Sequence, residues 1–191
     1  PIALPPHTDN PYRKPEAPGI QFLHCLKNEV SGGFSTLVDG FSVAEYIKLN
    51  EPEAFESLTK TNLRYRFQDK DIILENWGEL IELDKDGDYK QVRYSTRVDY
   101  VPPLENEKLE RFYKARKLLG DLYTSSDFEI KFKLSPGDVM MFDNHRLLHG
   151  RTSYDSSEGA RHLQGCYLEF DSTDGKLRHL HEKYRLSETN L

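Results

Sequence analysis

The sequence predicts a mainly β fold with covering helices, a sandwich or barrel of the jelly-roll kind. Short segments of alternating apolar and polar residues outnumber helical ones, and two long helical segments interrupt them. Eleven Tyr and ten Phe also suit a β-rich core with polar-tipped pockets. With 191 residues, no internal repeat and no low-complexity linker, residues 1–191 read as one domain around one sizeable core.

The opening PIALPPHTDNPYRKPEAPG is a poor helix and an awkward central strand, because proline lacks a backbone donor. Gly19 leads into IQFLHCLK, a β-prone run closed by NEVSGG, and FSTLVDG follows as a second short strand. Ser42 and Glu45 have capping-box spacing, so a helix is expected to begin at Ser42. Pro52 falls in the first turn of another helix running through EAFESLTK. Residues 62–100 return to strands. LRYRF alternates, IILENWGELIEL suggests strands around a turn, and KDGDY supplies turn chemistry before KQVRYSTRVDY. Leu109, Phe112, Tyr113, Arg116 and Leu119 keep helical spacing, which predicts a helix over 105–123. FEIKFKL alternates cleanly and Pro136-Gly137-Asp138 is a tight turn. VMMFDNHRLLHG and ARHLQGCYLEFD are then expected to pair through the polar loop RTSYDSSEG. Leu177, Leu180, His181 and Tyr184 mark a tail helix, whose apolar stripe either serves a homodimer or packs on its own domain.

A net charge of -6 offers no electrostatic footprint for nucleic acid or an anionic membrane. No apolar run approaches the ~20 residues that span a bilayer, and no secretory signal is apparent. Cys25 and Cys166 form no CxxC and read as reduced thiols. The expectation is a cytoplasmic protein whose partner is a small molecule.

The chemistry begins at His7-Thr8-Asp9. On extended chain, residues two apart point the same way, so His7 and Asp9 could share a metal. Alone, an H-x-D triplet is most often a turn or surface feature. The third ligand is sought among the remaining histidines, and His149 stands out. It ends an apolar run, and Gly150 lets the backbone turn away just past the ring. Two imidazoles and one carboxylate cap one face of an octahedral iron(II), whereas zinc sites more often use three histidines or cysteine. His24, His162, His179 and His181 read as satisfied core histidines, and His145 as exposed or beside the site. Twelve residues past His149, Arg161 could fork onto a carboxylate, and it shares strand parity with Tyr167. Its bland reading is a surface salt bridge. Ser35 or Thr36 could add a hydroxyl to the same carboxylate.

H-T-D, GG-x-S-x-x-V-D-G, P-G-D-V-x-x-F-D-N-x-R-x-L-H-G-R and R-H-L-x-G-x-Y occur in that order over nearly the whole chain. Together they resemble the Fe(II)/2-oxoglutarate-dependent oxygenases of the TauD/TfdA superfamily. The resemblance implies a double-stranded β-helix (jelly roll) with iron on His7, Asp9 and His149. It places the distal carboxylate of 2-oxoglutarate on Arg161, with Ser35 and Thr36 assisting. Dioxygen would be the oxidant and ascorbate the reductant. The implied reaction is hydroxylation of a small quaternary-ammonium acid, γ-butyrobetaine to carnitine, in carnitine biosynthesis. Trimethyllysine, an aminophosphonate or another small zwitterion are the alternatives. Tyr167 matches a tyrosine that helps cage the trimethylammonium, a use suited to an aromatic face. Tyr12 would line the entrance. VRYSTRVDY lacks the asparagine that the family can present to the substrate's carboxylate, leaving Tyr94, Ser95 or Arg97 as candidates. With H-T-D at residue 7, the family architecture is expected to continue upstream. A different class also stays open: a metal-binding jelly roll without oxygenase activity, or an inactive fragment.

Overall fold

The structure, a computed structural model, describes residues 2–184. Its elements in order are β1 (Leu4–His7), β2 (Ile20–Asn28), β3 (Ser35–Asp39), α1 (Gly40–Asn50), α2 (Pro52–Lys60), β4 (Leu63–Gln68), β5 (Ile73–Gly78), β6 (Ile81–Leu83), β7 (Tyr89–Val92) and β8 (Asp99–Tyr100). There follow α3 (Asn106–Tyr123), β9 (Glu129–Phe132), β10 (Val139–Asp143), β11 (Leu147–Arg151), β12 (Arg161–Leu168) and α4 (Phe170–Tyr184).

Seven strands form two antiparallel sheets, β1-β11-β3-β9 and β10-β2-β12. Strand alternation gives each sheet an inner face. Leu37, Phe132 and Leu147 of the first sheet meet Leu23, Cys25, Met140, Phe142 and Leu163 of the second in one apolar layer. The connections β2–β3, β9–β10, β10–β11 and β11–β12 all pass from one sheet to the other, the jelly-roll pattern. The segment between β3 and β9 leaves the sheets to build the cover. Val43, Ala44 and Ile47 of α1, Leu58 of α2 and Phe112, Ala115 and Leu119 of α3 pack with Val38 and Leu148 on the first sheet's outer face. The outer face of the second sheet exposes Val139 and Met141.

The mainly β architecture with covering helices is the predicted one, with several local differences. First, α1 begins at Gly40, capped by Asp39 instead of Ser42. Asp39 accepts from the amides of Phe41 and Ser42 at 3.1 and 3.4 Å and is forked by Arg146 Nε and Nη2 at 3.0 and 2.6 Å. Second, VMMFDNHRLLHG is not one strand. Asp143 accepts from the His145 amide at 2.7 Å in an Asx turn, which sends β10 and β11 into different sheets. Third, β11 and β12 do not form the expected hairpin. β11 pairs with β1 and β3, and β12 pairs with β2, so the polar loop crosses the sandwich. The tail helix starts earlier than its spacing suggested, at Phe170, and none of its residues is buried, so its stripe does not pack into the domain core. KQVRYSTRVDY also breaks, into β7 and the short β8.

Asp39 joins β3, α1 and the β10–β11 turn, so its removal is a test of the frame. Asp39→Ala should cost about 1–2 kcal/mol by urea denaturation, the scale of a lost helix cap. Burial alone would raise the Asp39 pKa, but the Arg146 and Ser42 hydrogen bonds outweigh it and the carboxyl titrates below its ordinary value. A depressed folded-state pKa stabilises above the unfolded value and is lost as pH falls through the folded one. The gap between parent and variant should therefore narrow once pH drops below ~4.

Candidate metal centre

Two rows of side chains face each other across the sandwich. In the first sheet His7 of β1 lies opposite His149 of β11, itself opposite Leu37 of β3. In the second, Phe142 of β10, Gln21 of β2 and Tyr167 of β12 stand in register. Antiparallel partners project to the same face with Cβ atoms ~5 Å apart, so each row forms a continuous strip. The His7 and His149 ring centroids lie 4.3 Å apart.

His7 donates from Nδ1 to the Pro5 carbonyl at 3.0 Å. A carbonyl only accepts, so Nδ1 carries the proton and Nε2 keeps its lone pair. That Nε2 lies 3.3 Å from Asp9 Oδ1. Two lone-pair atoms at this distance need a cation, either a second proton on His7 or a metal ion. His149 is buried with its ring 5.1 Å from Phe142. Burial, helped by neighbouring His7 and opposed by Asp9, pushes its pKa down to about 4, which keeps a neutral ligand at neutral pH. Its Nδ1 is buried with no hydrogen-bond partner among the described residues.

Asp9 lies in the turn after β1, not on the strand. Asn10 adopts φ 55°, a left-handed conformation that asparagine tolerates. The flanking backbone is pinned twice. The Thr8 amide donates to the Tyr94 carbonyl at 2.9 Å, and the Tyr94 amide donates to Thr8 Oγ1 at 3.0 Å. The Asp9 amide donates to Asn144 Oδ1 at 2.8 Å, and Asn144 Nδ2 donates to the Asp9 and Pro18 carbonyls at 3.1 and 2.9 Å. The prolines fit because β1 is an edge strand with irregular register between Leu4 and His7. Burial alone would raise the Asp9 pKa. Its neighbours His7, His149 and the Tyr167 hydroxyl reverse this and hold it well below the usual carboxylate range.

Ligand atoms of His7, Asp9 and His149 all fall within 4.8 Å of one another. Converging basic atoms, with His149 Nε2 3.8 Å from Asp9 Oδ2, and an ionised carboxylate fit a divalent metal. Two imidazoles and one carboxylate on one side are the donor set of non-haem iron(II).

Arg161 and Tyr167 share the inner face of β12. Arg161 Nη2 donates to the Gly33 carbonyl at 3.1 Å, and its guanidinium lies 5.4 Å over the Tyr154 ring. It has no carboxylate partner among the described residues, so it is not a surface ion pair, and its Nε is buried without a partner. Gly33 is required twice here: its φ is +69°, and a Cβ would come within 2.8 Å of Arg161 Nε. Ser35, buried and two residues on, faces the interior with Leu37, the register partner of His149.

Other sequence-predicted residues fall elsewhere. Thr36 points to the opposite face of β3, its Oγ1 2.8 Å from where a Cβ on Gly150 would stand, so it is not beside Arg161. The Tyr94 ring packs on Tyr123 at 5.0 Å, with its hydroxyl over Gly120 of α3; only its backbone serves the site. Tyr12 stacks on Phe67 at 5.1 Å and donates to Asn10 Oδ1 at 2.6 Å. It lines a groove of about 820 Å³ with Arg13, Glu16, Glu75, Glu169 and Phe170. His145 is buried, its Nε2 donating to the Ala17 carbonyl at 2.7 Å, whereas His162 and His179 are exposed instead of core. Sequence reasoning missed Thr8, Gln21 and Asn144. Asn144 stands inside the quoted F-D-N motif, and Gln21 is a lone amide at inward parity in IQFLHC.

A jelly roll with a two-histidine, one-carboxylate face defines a class of non-haem metal proteins, and the comparisons narrow it. The family model described as "Taurine catabolism dioxygenase TauD, TfdA family" matches residues 2–167. The chain belongs to this family. It is 38% identical over 182 residues to human gamma-butyrobetaine dioxygenase, covering 93% of this chain and 47% of that protein. To the mitochondrial trimethyllysine dioxygenase of Bos taurus it is 35% identical over 183 residues, covering 89% of this chain and 41% of that one. The chain thus spans about half the length of these curated relatives. The crystal structure of asparagine oxygenase with Fe(II), 2S,3S-3-hydroxyasparagine and succinate has the same fold. It superposes with TM-score 0.68 at 19% identity, over 88% of this chain and 50% of that one.

Removing the carboxylate tests the ligand set. Asp9→Ala should weaken Mn(II) or Fe(II) binding at least ~100-fold by calorimetry, because one of three protein ligands goes with the only negative charge among them. Undiminished binding would mean that other residues hold the ion.

Proposed function

We propose that this chain carries the catalytic site of an Fe(II)- and 2-oxoglutarate-dependent dioxygenase that hydroxylates γ-butyrobetaine to carnitine. The carrying observation is the convergence of His7, Asp9 and His149 on an inner face that also holds Arg161, a guanidinium without a carboxylate partner among the described residues. Iron(II) on the three ligands, with 2-oxoglutarate and dioxygen, would supply the oxidising power that converts a C–H to a C–OH bond as 2-oxoglutarate becomes succinate and carbon dioxide.

The protein's own part is binding and orientation. Arg161 offers a planar fork for the distal carboxylate of the co-substrate, and the Gly33 carbonyl and Tyr154 ring hold that fork in one plane. Ser35, inward-facing and close in sequence to Gly33, is the hydroxyl positioned to assist. Fixing the diacid at its far end orients its reacting end towards the triad, a positional gain in effective molarity. The substrate side rests on the aromatic Tyr12–Phe67 stack and on Tyr167, which suit a trimethylammonium group. Four carboxylates, Glu16, Glu75, Glu169 and Asp171, line the groove beside two cations, Arg13 and Lys14. The identity to gamma-butyrobetaine dioxygenase, and to trimethyllysine dioxygenase a little below it, supports that substrate class.

Two free cysteines support a reducing, cytoplasmic setting. No described helix is long and apolar enough to cross a membrane. Exposed Leu177 and Tyr184 on α4 support a homodimer through that helix.

Purified protein with iron(II), ascorbate and 2-oxoglutarate should form succinate fastest with γ-butyrobetaine, in a panel with trimethyllysine and an aminophosphonate. No succinate with any substrate, coupled or uncoupled, would overturn the oxygenase reading in favour of a metal-binding jelly roll. Arg161→Lys should raise KM for 2-oxoglutarate ~10–100-fold, the value of a charge-assisted fork, while Mn(II) affinity stays at the parent level.

A further inference from the structure

Asp9 is held by its side chain as well as by its backbone. Gln21 Nε2 donates to Asp9 Oδ2 at 2.8 Å, and the Tyr167 hydroxyl donates to the same oxygen at 2.6 Å. Both bonds follow from one feature of the second sheet: Gln21 and Tyr167 are register partners on β2 and β12 and project to the same face. The other oxygen, Oδ1, lies 3.3 Å from His7 Nε2, a closer approach than the 3.8 Å between Oδ2 and His149 Nε2.

We propose that Gln21 and Tyr167 act as a paired clamp that makes Asp9 a one-oxygen metal ligand, occupying Oδ2 and leaving Oδ1 to the ion. The inference rests on the metal-centre reading above and assigns positioning residues that it does not contain. A carboxylate free to rotate can chelate an ion with both oxygens and so use up a coordination position. Two donors on one oxygen oppose this, because chelation through Oδ2 would have to displace them. Gln21 is 3% exposed, so its amide is held away from solvent and donates to Asp9 inside the site. An ionised carboxylate only accepts, so the amide orientation with nitrogen towards Asp9 is the one chemistry demands. Tyr167 can serve this role through its hydroxyl while its ring face stays available to a substrate cation, so the two functions of this residue are separable by mutation.

The test titrates Mn(II) into the parent, Tyr167→Phe, Gln21→Met and the double variant, with free Mn(II) read by its paramagnetic resonance signal. Each single variant should bind Mn(II) ~10-fold more weakly, the usual scale for a lost outer-shell bond to a ligand. Visible absorption of bound Co(II) should weaken in the double variant, because coordination number rises when both Asp9 oxygens bind. Tyr167→Phe keeps the ring on an edge strand, so the test stands even if Gln21→Met does not fold. Variants within twofold of the parent, with an unchanged Co(II) spectrum, would overturn the clamp alone. A parent that takes up neither Mn(II) nor Co(II) would overturn the metal centre and the clamp together.

Discussion

The pairing of His7 with His149 across β1 and β11 is the contact on which the rest depends. Side chains alternate along a strand, so a slip of one residue would send the His149 ring to the helical side of the sheet and Leu148 into the pocket. Neighbouring contacts oppose that slip. β11 is held on both sides, by β1 and β3, while Leu148 and Leu147 pack into apolar layers on opposite faces. Among the described residues the edge strand β1 has only β11 as a partner, and its prolines cannot supply a full ladder. Its ligand-bearing turn is therefore fixed from outside, by the Tyr94 backbone at Thr8 and the Asn144 amide at Asp9.

The two sheets divide the labour. The first carries the imidazoles, with Asp9 in the turn beyond its edge strand; the second carries the groups that orient and neutralise. Phe142 backs His149, Gln21 and Tyr167 bond Asp9, and Arg161 waits at the far end of the same inner face. A sandwich whose connections cross between sheets brings such residues together from distant parts of the chain. Gln21 and Asp9 are close in sequence, but Tyr167 lies 158 residues from Asp9.

How far this was legible in the sequence depends on whether a signal was local. His149 before Gly150, the H-x-D triplet and Arg161 each carry a pattern within a few residues, and the strands themselves follow from alternation. What eluded the sequence was partnership. β11 and β12 look like a hairpin because they are consecutive, yet the nine-residue loop between β11 and β12 crosses the sandwich. Thr36 and Tyr94 were plausible by residue type and failed on direction: one points to the wrong face of β3, and the other turns into α3. Gln21 was visible as a polar residue at an inward position, but only the register with Tyr167 reveals its target. Asp39 shows the same limit at a helix start, where a capping-box spacing at Ser42 lost to a carboxylate that Arg146 also grips.

The central claim is that the triad and Arg161 form one site for iron(II) and a diacid. Its most direct measurement is an anaerobic titration of the Fe(II)-loaded protein with 2-oxoglutarate, followed by visible absorption. The account predicts a charge-transfer band, which arises when the keto and carboxylate oxygens chelate the metal, saturating at one equivalent and absent in Asp9→Ala. No band at saturating 2-oxoglutarate, with iron shown to be bound, would contradict it.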